Sequence, residues 1–458
     1  GLNSAGCGHI YLGCRALAPC NFTDLKDANM VPRLTTALTG PILDLEQRIL
    51  EAMPRIEHWF RTQWLEHAPP VYGSVDLRNA GFKLAPVDMN LFPGGFNNLN
   101  PDFHPLCVHA TQAALEKSCP DARNLLLIPE NHTRNQFYLQ NVAALRYILQ
   151  QAGLNVRLGS LAPEITEPTA IALPDGRELL LEPLQRNGNR VGVAGFDPCI
   201  VLLNNDLSAG IPPQLEGIEQ ILQPPLHAGW STRKKTNHFA AYDQVAAEFA
   251  DLLGIDPWLI NPYFERCDRI NFQERLGEES LAEKVDSLLT RIRAKYKEYS
   301  IDAQPYVIVK ANSGTYGMGV MSVKDASEVI GLNRRQRNKM AVIKEGQEVH
   351  EVIVQEGVHT FESLHDAVAE PVVYMIDRYV VGGFYRVHTG RGPDENLNAP
   401  GMHFEPLAFD TPCSLPDCGA EPDCPPNRFY AYGVVARLAL LAASLEIEQT
   451  APQEAAYA

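Results

Sequence analysis

A lysine stands directly before a glycine-rich loop in the stretch VKANSGTYGMGVMSV, and this pairing could bind phosphate. Lys310 comes first, followed by Ser313 and by Gly314, Gly317 and Gly319. The backbone N–H groups of such a loop can face phosphate oxygens while the lysine supplies a point charge. No Gly-Lys-Ser/Thr opens a helix here, and the glycine order is G-x-x-G-x-G between two apolar runs, which excludes the P-loop and the dinucleotide fingerprint. Taken alone, the loop is explained equally well as a mobile hairpin.

Further polar features follow the loop in chain order. Gln355 and Glu356 end the apolar run VIVQEGV, where backbone groups and a carboxylate could receive an adenine edge and ribose hydroxyls. Arg386 comes after a segment that alternates apolar and polar residues. The stretch DENLNAPG then offers hard oxygen ligands of the kind that hold Mg²⁺ between protein and phosphates. The candidate metal ligands are Glu395, Asn396 and Asn398. Each feature is also typical of a solvated strand end or a turn, but their order favours a nucleotide site.

A second constellation lies far upstream, in SVDLRNAGFKLAPVDMNLFPGGFNNLN. This stretch is too irregular for a helix and too polar for a core strand, so we expect a loop. Arg78 and Lys83 could pair with substrate carboxylates, while Asp88 or an asparagine could receive an ammonium. A surface loop tied by Asx turns is the alternative. With a second polar loop, PENHTRN, the candidate substrate-binding residues are Arg78, Asn79, Lys83, Asp88, Asn90, Asn97 and Arg134.

The elements that must position these residues are of two kinds. Residues 41–67 carry apolar side chains at helical spacing and predict one helix, or a pair broken near Pro54. A strand, a helix and a strand then follow within residues 123–161, which is βαβ order, and a hairpin is signalled by Pro174-Asp175-Gly176. We therefore predict an open α/β substrate-binding domain over residues 30–225, with its ligand loops after strand ends.

The second half predicts an ATP-binding domain over residues 226–440. The Pro-rich stretch Ile211–Pro225 is the linker candidate, and two helical segments precede the glycine loop. An extended pair is expected to turn at Gly382-Gly383. Residues 1–29 are predicted to be an extension outside the core fold, and residues 441–458 a helix end with a disordered tail. The fold class predicted overall is α/β (α+β).

Charge and composition exclude several classes of partner. The net charge of −16 opposes binding to nucleic acid or anionic lipid. No apolar stretch approaches the roughly 18 residues that would span a bilayer, and no signal peptide opens the chain, so we expect a cytoplasmic protein. Cysteines lack C-x-x-C spacing, which weakens a zinc or redox site. Cys413, Cys418 and Cys424 cluster in a Pro-rich tail as a weak metal-clip candidate. Homo-oligomerisation is left open.

The ordered series from Tyr306 to Glu405 resembles the ATP-grasp superfamily, in which a strand lysine, a glycine-rich lid, a hinge strand and a late acidic-plus-Asn motif surround ATP. The resemblance implies that Lys310 contacts phosphate, that residues 313–319 form the lid and that Glu356 is the hinge carboxylate. It implies that Arg386 stabilises the transferred phosphoryl group. A further acidic metal ligand is expected on a strand before the last motif, and the candidates are Glu370, Asp377 and Glu405.

Together, VDLRNAGFKLAPVDMNLFPGGFNN, IPENHTRN and VKANSGTYGMGV resemble the glutamate–cysteine ligase family of the proteobacterial type, from about Val31 to Phe409. The resemblance implies a cytoplasmic enzyme that uses ATP and Mg²⁺ to make γ-glutamylcysteine from small-molecule substrates. Other carboxylate–amine ligases, such as a glutathione synthetase-like enzyme, a small-molecule kinase and a non-catalytic nucleotide-binding regulator remain the alternatives. The basic cluster GWSTRKKTNHF could reach the phosphates, although a solvated helix start is slightly favoured.

Overall fold

A computed structural model of the chain describes residues 34–35, 40–314, 319–342, 346, 348–407 and 429–452. These residues form a mixed α/β protein, as predicted. The helices are α1 (Pro41–Glu51), α2 (Met53–Glu66), α3 (His104–Ser118), α4 (Gln136–Gln151), α5 (Lys235–Leu253), α6 (Glu278–Glu298), α7 (Ser327–Ile330), α8 (Arg334–Ala341) and α9 (Phe429–Thr450). The strands are β1 (Leu34–Thr35), β2 (Tyr72–Asn79), β3 (Leu84–Asn90), β4 (Asn124–Pro129), β5 (Asn155–Ser160), β6 (Thr169–Ala172), β7 (Glu178–Pro183), β8 (Gln185–Asn187), β9 (Arg190–Gly192), β10 (Ile200–Asn204), β11 (Ile221–Gln223), β12 (Phe264–Asp268), β13 (Val307–Ala311), β14 (Val320–Val323), β15 (Glu351–Glu356), β16 (Ser363–Leu364), β17 (Ala367–Ile376), β18 (Tyr379–His388) and β19 (His403–Pro406).

A mostly parallel sheet contains the predicted βαβ unit. Its order is β11-β10-β4-β5-β7-β6, and β6 is the antiparallel member. β4 is buried because its run of Leu125 to Ile128 is covered on both faces, which is the usual setting of a continuous apolar strand. The polar residues that follow β4 and β10 therefore emerge at the same edge of the sheet.

The predicted linker is part of this sheet. Within Ile211–Pro225, β11 pairs in parallel with β10, with Ile221 opposite Ile200. The Gln220 side chain exchanges hydrogen bonds of 2.7 Å with the backbone of Val191. The linker prediction was wrong because proline-rich composition does not prevent a short edge strand.

An antiparallel sheet crosses the domain boundary predicted at residue 225. β3 pairs with β2, and β2 pairs with β17. The sheet continues from β17 to β18 and β19 in one direction and to β16 and β1 in the other. The upstream stretch expected to be a loop is thus the hairpin β2–β3. Its apolar positions, such as Val75 and Met89, face α9 in the core, and the alternate positions face the cavities described below.

The turn between β17 and β18 lies at Asp377-Arg378 and not at the predicted Gly382-Gly383. Asp377 adopts a φ of 50° there. Gly383 sits inside β18, where an added Cβ would lie 2.4 Å from the Val372 carbonyl oxygen. Gly383 thus permits a close approach between β17 and β18, and neither glycine forms the turn.

The glycine loop belongs to a four-stranded antiparallel sheet of order β12-β15-β13-β14. The predicted strand–loop–strand setting is confirmed, since β13 pairs with β14 on either side of the loop. Gly317 lies outside the described residues, as does the cluster of Cys413, Cys418 and Cys424.

Helix α9 is the central core helix. It is long and apolar enough to cross a membrane, which corrects the expectation that no stretch approaches that length, but 83% of its most apolar window is buried inside the protein. It packs on α5 and on the β2–β3 hairpin. The first predicted helical region is the pair α1 and α2, as the sequence pattern allowed.

Candidate active site

Two cavities share one wall. The first is lined by the four-stranded sheet on one side and by the β2–β3 hairpin and β17 on the other. The second, of about 770 Å³, lies between the seven-stranded antiparallel sheet and the carboxyl ends of β4 and β10. Asp76, Asp88 and Asn398 line both cavities. A molecule in one cavity can therefore meet a molecule in the other at these three residues.

Lys310 is the cation of the first cavity that the sequence identified. Its ammonium donates hydrogen bonds of 2.7 Å to the Val87 carbonyl oxygen and to Gln355 Oε1. Burial lowers its pKa to about 8, although the negative charge of Asp88 opposes this shift. Gly314 lines the same cavity, so the beginning of the glycine loop and the lysine face one space. Ser313 and Gly319 flank the loop.

A second cation, Lys235, enters this cavity from the start of α5. Its ammonium lies 3.0 Å from Asp88 Oδ1 and 4.3 Å from the centre of the Trp230 ring. Burial works to raise the pKa of Asp88, but Lys235 and Lys310 lower it to about 2. The first turn of α5 is tied to the glycine-loop strand, since the Lys235 N–H donates to the Asn312 carbonyl oxygen at 2.7 Å.

The solvated reading of the cluster around Lys235 was therefore wrong. Arg233 and Lys235 are 4% and 6% exposed, and Arg233 forms a buried ion pair with Glu446 of α9. Lys234 is the most exposed of the three, with 34% of its side chain exposed, and it lies 3.6 Å from Glu351.

Arg386 stands at the shared wall within a buried carboxylate cluster. Its guanidinium lies 2.8 Å from Asp76 and 2.6 Å from Glu370, which also pairs with Arg78 at 2.8 Å. Burial raises the pKa of Asp76 against the opposing pull of Arg386. Burial also works to raise the pKa of Glu370, but the positive charges of Arg78 and Arg386 together hold the pKa of Glu370 below its usual value. Two carboxylates and two guanidinium groups therefore balance each other at this wall, and they come from distant parts of the sequence.

The second cavity is polar where the parallel sheet meets it. Glu130 follows β4, and Asn204 and Asp206 lie at and after the end of β10. Carboxyl ends of parallel strands are the usual ligand-binding edge of such sheets. Asn90 and Asn97, two of the predicted substrate ligands, line this cavity, and Asn90 also accepts a hydrogen bond from the Phe92 N–H.

Comparison with known proteins identifies the family. A family model described as glutamate–cysteine ligase matches residues 46–447. The chain belongs to the glutamate–cysteine ligase family. It is therefore an ATP-dependent carboxylate–amine ligase, as the sequence resemblance implied.

A crystal structure from Methylobacillus flagellatus KT, provisionally named a γ-glutamylcysteine synthetase, is 69% identical with a TM-score of 0.85. The match covers 92% of this chain and all of that one. A glutathione synthetase-like effector from Globodera pallida is 11% identical, with a TM-score of 0.35 over 76% of this chain and 79% of that one. D-alanyl-alanine synthetase A from Vibrio cholerae O1 is 13% identical, with a TM-score of 0.31 over 63% and 75%. These last two scores are too low to support a conclusion about this chain. A search of curated proteins found no match.

Several predicted substrate ligands of this family member lie elsewhere. Lys83 is fully buried, 2.9 Å from Glu356 and 4.3 Å from the centre of the Trp258 ring. Asn79 bonds to Glu362 and Tyr432 in the core. Neither side chain lines the two cavities as the described residues define them. Their roles as substrate ligands are corrected to structural ones, because their polar atoms already have buried partners.

Arg78 and Arg134 are also misplaced for a substrate carboxylate. Arg78 borders the first cavity, but besides Glu370 its guanidinium bonds to Tyr306 and to the carbonyl oxygens of Val358, Pro393 and Glu395. It holds the late loop against the sheet. Arg134 is exposed, whereas its neighbour Asn135 lines the second cavity.

Glu356 borders the first cavity but is not free to bind ribose through its carboxylate. That carboxylate accepts hydrogen bonds from Trp258 Nε1 at 3.0 Å and from the Tyr263 N–H at 2.9 Å, and it pairs with Lys83. The predicted contact to ribose hydroxyls is therefore corrected, because the side chain points into the core. The neighbouring Gln355 lines the cavity, and its buried Nε2 has no hydrogen-bond partner among the residues that the structure describes.

The late loop brings the predicted metal ligands to the first cavity. Glu395, Asn396 and Asn398 all line it. Of the further acidic candidates, Glu370 also lines it, whereas Asp377 lies at the hairpin turn and Glu405 pairs opposite Tyr385. In the part of the chain that the structure describes, no group of three or more His, Cys, Asp or Glu side chains could hold a metal ion. The donor set still suits Mg²⁺ carried by phosphates, since that ion needs only one or two carboxylates besides phosphate and water.

Proposed function

We propose that this chain joins the γ-carboxylate of L-glutamate to the amine of L-cysteine, giving γ-glutamylcysteine, ADP and phosphate. The observation that carries the proposal is the meeting of the two cavities at Asp76, Asp88 and Asn398. One cavity has the cations that a nucleotide needs, and the other has the carboxylates and amides that suit amino acids. The product would be the first intermediate of glutathione synthesis.

The reaction needs an activated carboxylate, because an amine does not displace hydroxide from a carboxylate at neutral pH. The γ-phosphoryl group of ATP is transferred to a γ-carboxylate oxygen of glutamate, and ADP leaves. The unprotonated amine of cysteine then attacks the acyl carbon, the bond from this carbon to the phosphate oxygen breaks, and phosphate departs. Little covalent chemistry falls to the protein, which positions the reactants and offsets their charge.

The nucleotide side is supported by Lys310, Lys235 and Gly314 around one space. The two ammonium groups would offset phosphate charge where water is excluded, and electrostatic effects are strongest in such a setting. Glu395 and Asn398 would hold Mg²⁺, which supplies additional charge neutralisation at the phosphates. Gln355 borders the same cavity, and its Nε2, which has no hydrogen-bond partner in the described part of the chain, is a candidate donor to the adenine edge.

The amino-acid side is supported by the charge of the second cavity. Glu130 and Asp206 line it and suit the ammonium group of a substrate, and the amides of Asn97 and Asn135 can donate to a carboxylate. Arg386 reaches this cavity beside Asp76, where the phosphoryl group would meet the γ-carboxylate. This position supports the proposal that Arg386 contacts the transferred phosphoryl group.

Product analysis with purified protein tests the proposal. ATP is supplied with glutamate, with cysteine and with both, and ADP, AMP, phosphate and peptide are quantified. We expect ADP and phosphate in equal amounts with γ-glutamylcysteine when both amino acids are present. AMP formation, or a stable phosphorylated product that ignores cysteine, would instead indicate another ligase or a small-molecule kinase. Binding of ATP without any turnover would indicate a regulator.

A further inference from the structure

The second cavity has two chemically different walls. Its polar wall carries Glu130 and Asp206, as described above. Its opposite wall is formed by the antiparallel sheet and carries Val372, Phe384 and Phe404. Phe384 and Phe404 pack with ring centres 4.8 Å apart, and Tyr374 extends the cluster at 5.4 Å from Phe384. Ligand pockets commonly combine an apolar and aromatic lining with a few polar groups, and this aromatic surface suits an uncharged part of a substrate.

We propose that Val372, Phe384 and Phe404 form the subsite for the uncharged side chain of the acceptor amino acid. The name acceptor subsite is used below for these three residues. The inference rests on the proposed function, because it assigns a place to the amino acid whose amine is acylated. It adds a specificity determinant that the reaction chemistry alone does not supply.

Strand register places the acceptor subsite directly beside the reaction point. Val372 pairs with Asp76 on one neighbouring strand and with Phe384 on the other. Arg386 pairs with Phe404. Neighbouring strands lie about 4.8 Å apart, so the apolar surface begins one strand away from the wall that both cavities share. An amino acid whose amine lies at that wall can rest its side chain on these residues.

The charges of the two substrates decide which one uses this wall. Glutamate must present its γ-carboxylate at the shared wall, and its α-ammonium and α-carboxylate then need polar partners. The side chain of cysteine is uncharged near neutral pH, because a free thiol has a pKa of about 8.5. Sulfur also makes favourable contacts with aromatic rings. The acceptor subsite therefore suits the thiol-bearing side chain, and the polar wall suits the α-groups of glutamate.

The first test uses the unaltered protein with L-cysteine, L-2-aminobutyrate and L-serine as acceptors. An ethyl side chain keeps the shape of the thiol without its sulfur, whereas a hydroxyl must give up its water at an apolar wall. We expect kcat/KM for serine to fall at least about tenfold below that for 2-aminobutyrate. Equal or better use of serine would overturn the proposal.

The second test uses Phe404→Ala, with Phe404→Leu as the conservative variant and Phe361→Ala as the control. Phe404 is half-buried on β19 at the edge of the described sheet, and Phe361 is an exposed aromatic residue at 51%. We expect Phe404→Ala to raise the KM for cysteine about tenfold and to improve use of the longer L-norvaline relative to cysteine by a similar factor. Phe404→Leu should show a smaller shift in the same direction, and the KM for glutamate should stay unchanged.

Outcomes separate this inference from the proposed function. If the unaltered protein makes no γ-glutamyl product, the proposed function fails and the acceptor subsite falls with it. If the unaltered protein is active, the acceptor subsite alone would be overturned when Phe404→Ala raises the KM for glutamate and leaves the acceptor preference unchanged. An acceptor preference that is equal in Phe404→Ala, Phe361→Ala and the unaltered protein would do the same.

Discussion

The ammonium of Lys235 lies 3.0 Å from Asp88 Oδ1, on the wall where the two cavities meet. The adjacent Lys234 faces the surface near Glu351. Two consecutive lysines thus have different environments, because the first turn of a helix points them in different directions. The buried one carries a charge beside the proposed phosphate position.

We predict that Lys235→Met lowers kcat/KM by about a hundredfold, since it removes a charge from a water-poor site. Lys234→Met is the matched control and should change kcat/KM by less than about threefold, as expected for a surface ion pair. Steady-state kinetics with ATP as the varied substrate measures both effects. Equal losses in the two variants would remove Lys235 from the nucleotide site.

Lys310→Met should lower kcat/KM for ATP by about a hundredfold to a thousandfold while leaving the fold intact. Its methylene stem is preserved, so packing against the sheet is retained. Lys339→Met, at an exposed position on α8, is the control. Circular dichroism reports the fold and coupled ADP detection reports turnover. Retained activity in Lys310→Met would contradict the phosphate-clamp role.

The activity should also depend on pH through Lys310, because burial lowers the pKa of this ammonium to about 8. The charge is present below that pH and is lost as the pH rises through it, so the KM for ATP should increase above about pH 8. Lys310→Arg keeps its charge at all these pH values and should flatten the increase. Lys83 has a pKa of about 8 as well, but it remains in the variant and lies in the core. An unchanged profile in Lys310→Arg would assign the dependence to another group.

A stability prediction concerns Glu446, which joins α9 to Arg233 and His238. Breaking a buried ion pair costs about 3–5 kcal/mol, so Glu446→Gln should reduce the free energy of unfolding by about that amount. Glu448→Gln, at a side chain that is 44% exposed, should cost less than about 1 kcal/mol. Urea denaturation monitored by tryptophan fluorescence measures both.

The Glu446 carboxylate also predicts that the free energy of unfolding decreases at acid pH. Burial would raise the pKa of Glu446, but Arg233 and His238 lower it from its usual 4.5 to about 2. A lowered carboxyl pKa contributes stability that is complete above about pH 4.5 and is lost as the pH falls toward 2. The stability of Glu446→Gln should therefore depend less on pH in this window. If the free energy of unfolding decreases identically with falling pH in the variant and the unaltered protein, Glu446 is excluded as the cause.

The residues of the proposed nucleotide side could be grouped from the sequence because the strands that carry them are neighbours in one sheet. Lys310 lies on β13, Gly314 follows it in the loop to β14, and Gln355 lies on β15, which pairs with β13 on its other side. Composition near Arg233 and Lys235 resembled a solvated helix start, and the partners that bury them, Glu446 and Asp88, are far away in sequence.

The proposed substrate side is harder to predict, because the composition of β2 and β3 indicates a loop although the structure has two strands there. In SVDLRN, Val75 and Leu77 alternate with polar residues, and this period of two could have revealed β2. The same alternation predicts that Asp76 points away from the core, and in the structure it lines both cavities. Lys83 could not be excluded in this way, since its partner Glu356 comes from a distant part of the chain.

The transfer of oxygen from glutamate to phosphate tests the central claim most directly. The protein is incubated with ATP, cysteine and glutamate carrying ¹⁸O in both γ-carboxylate oxygens, and the phosphate released is analysed by mass spectrometry. An acyl phosphate formed at the shared wall predicts one ¹⁸O atom in each phosphate. Unlabelled phosphate, or label recovered in AMP, would contradict the account.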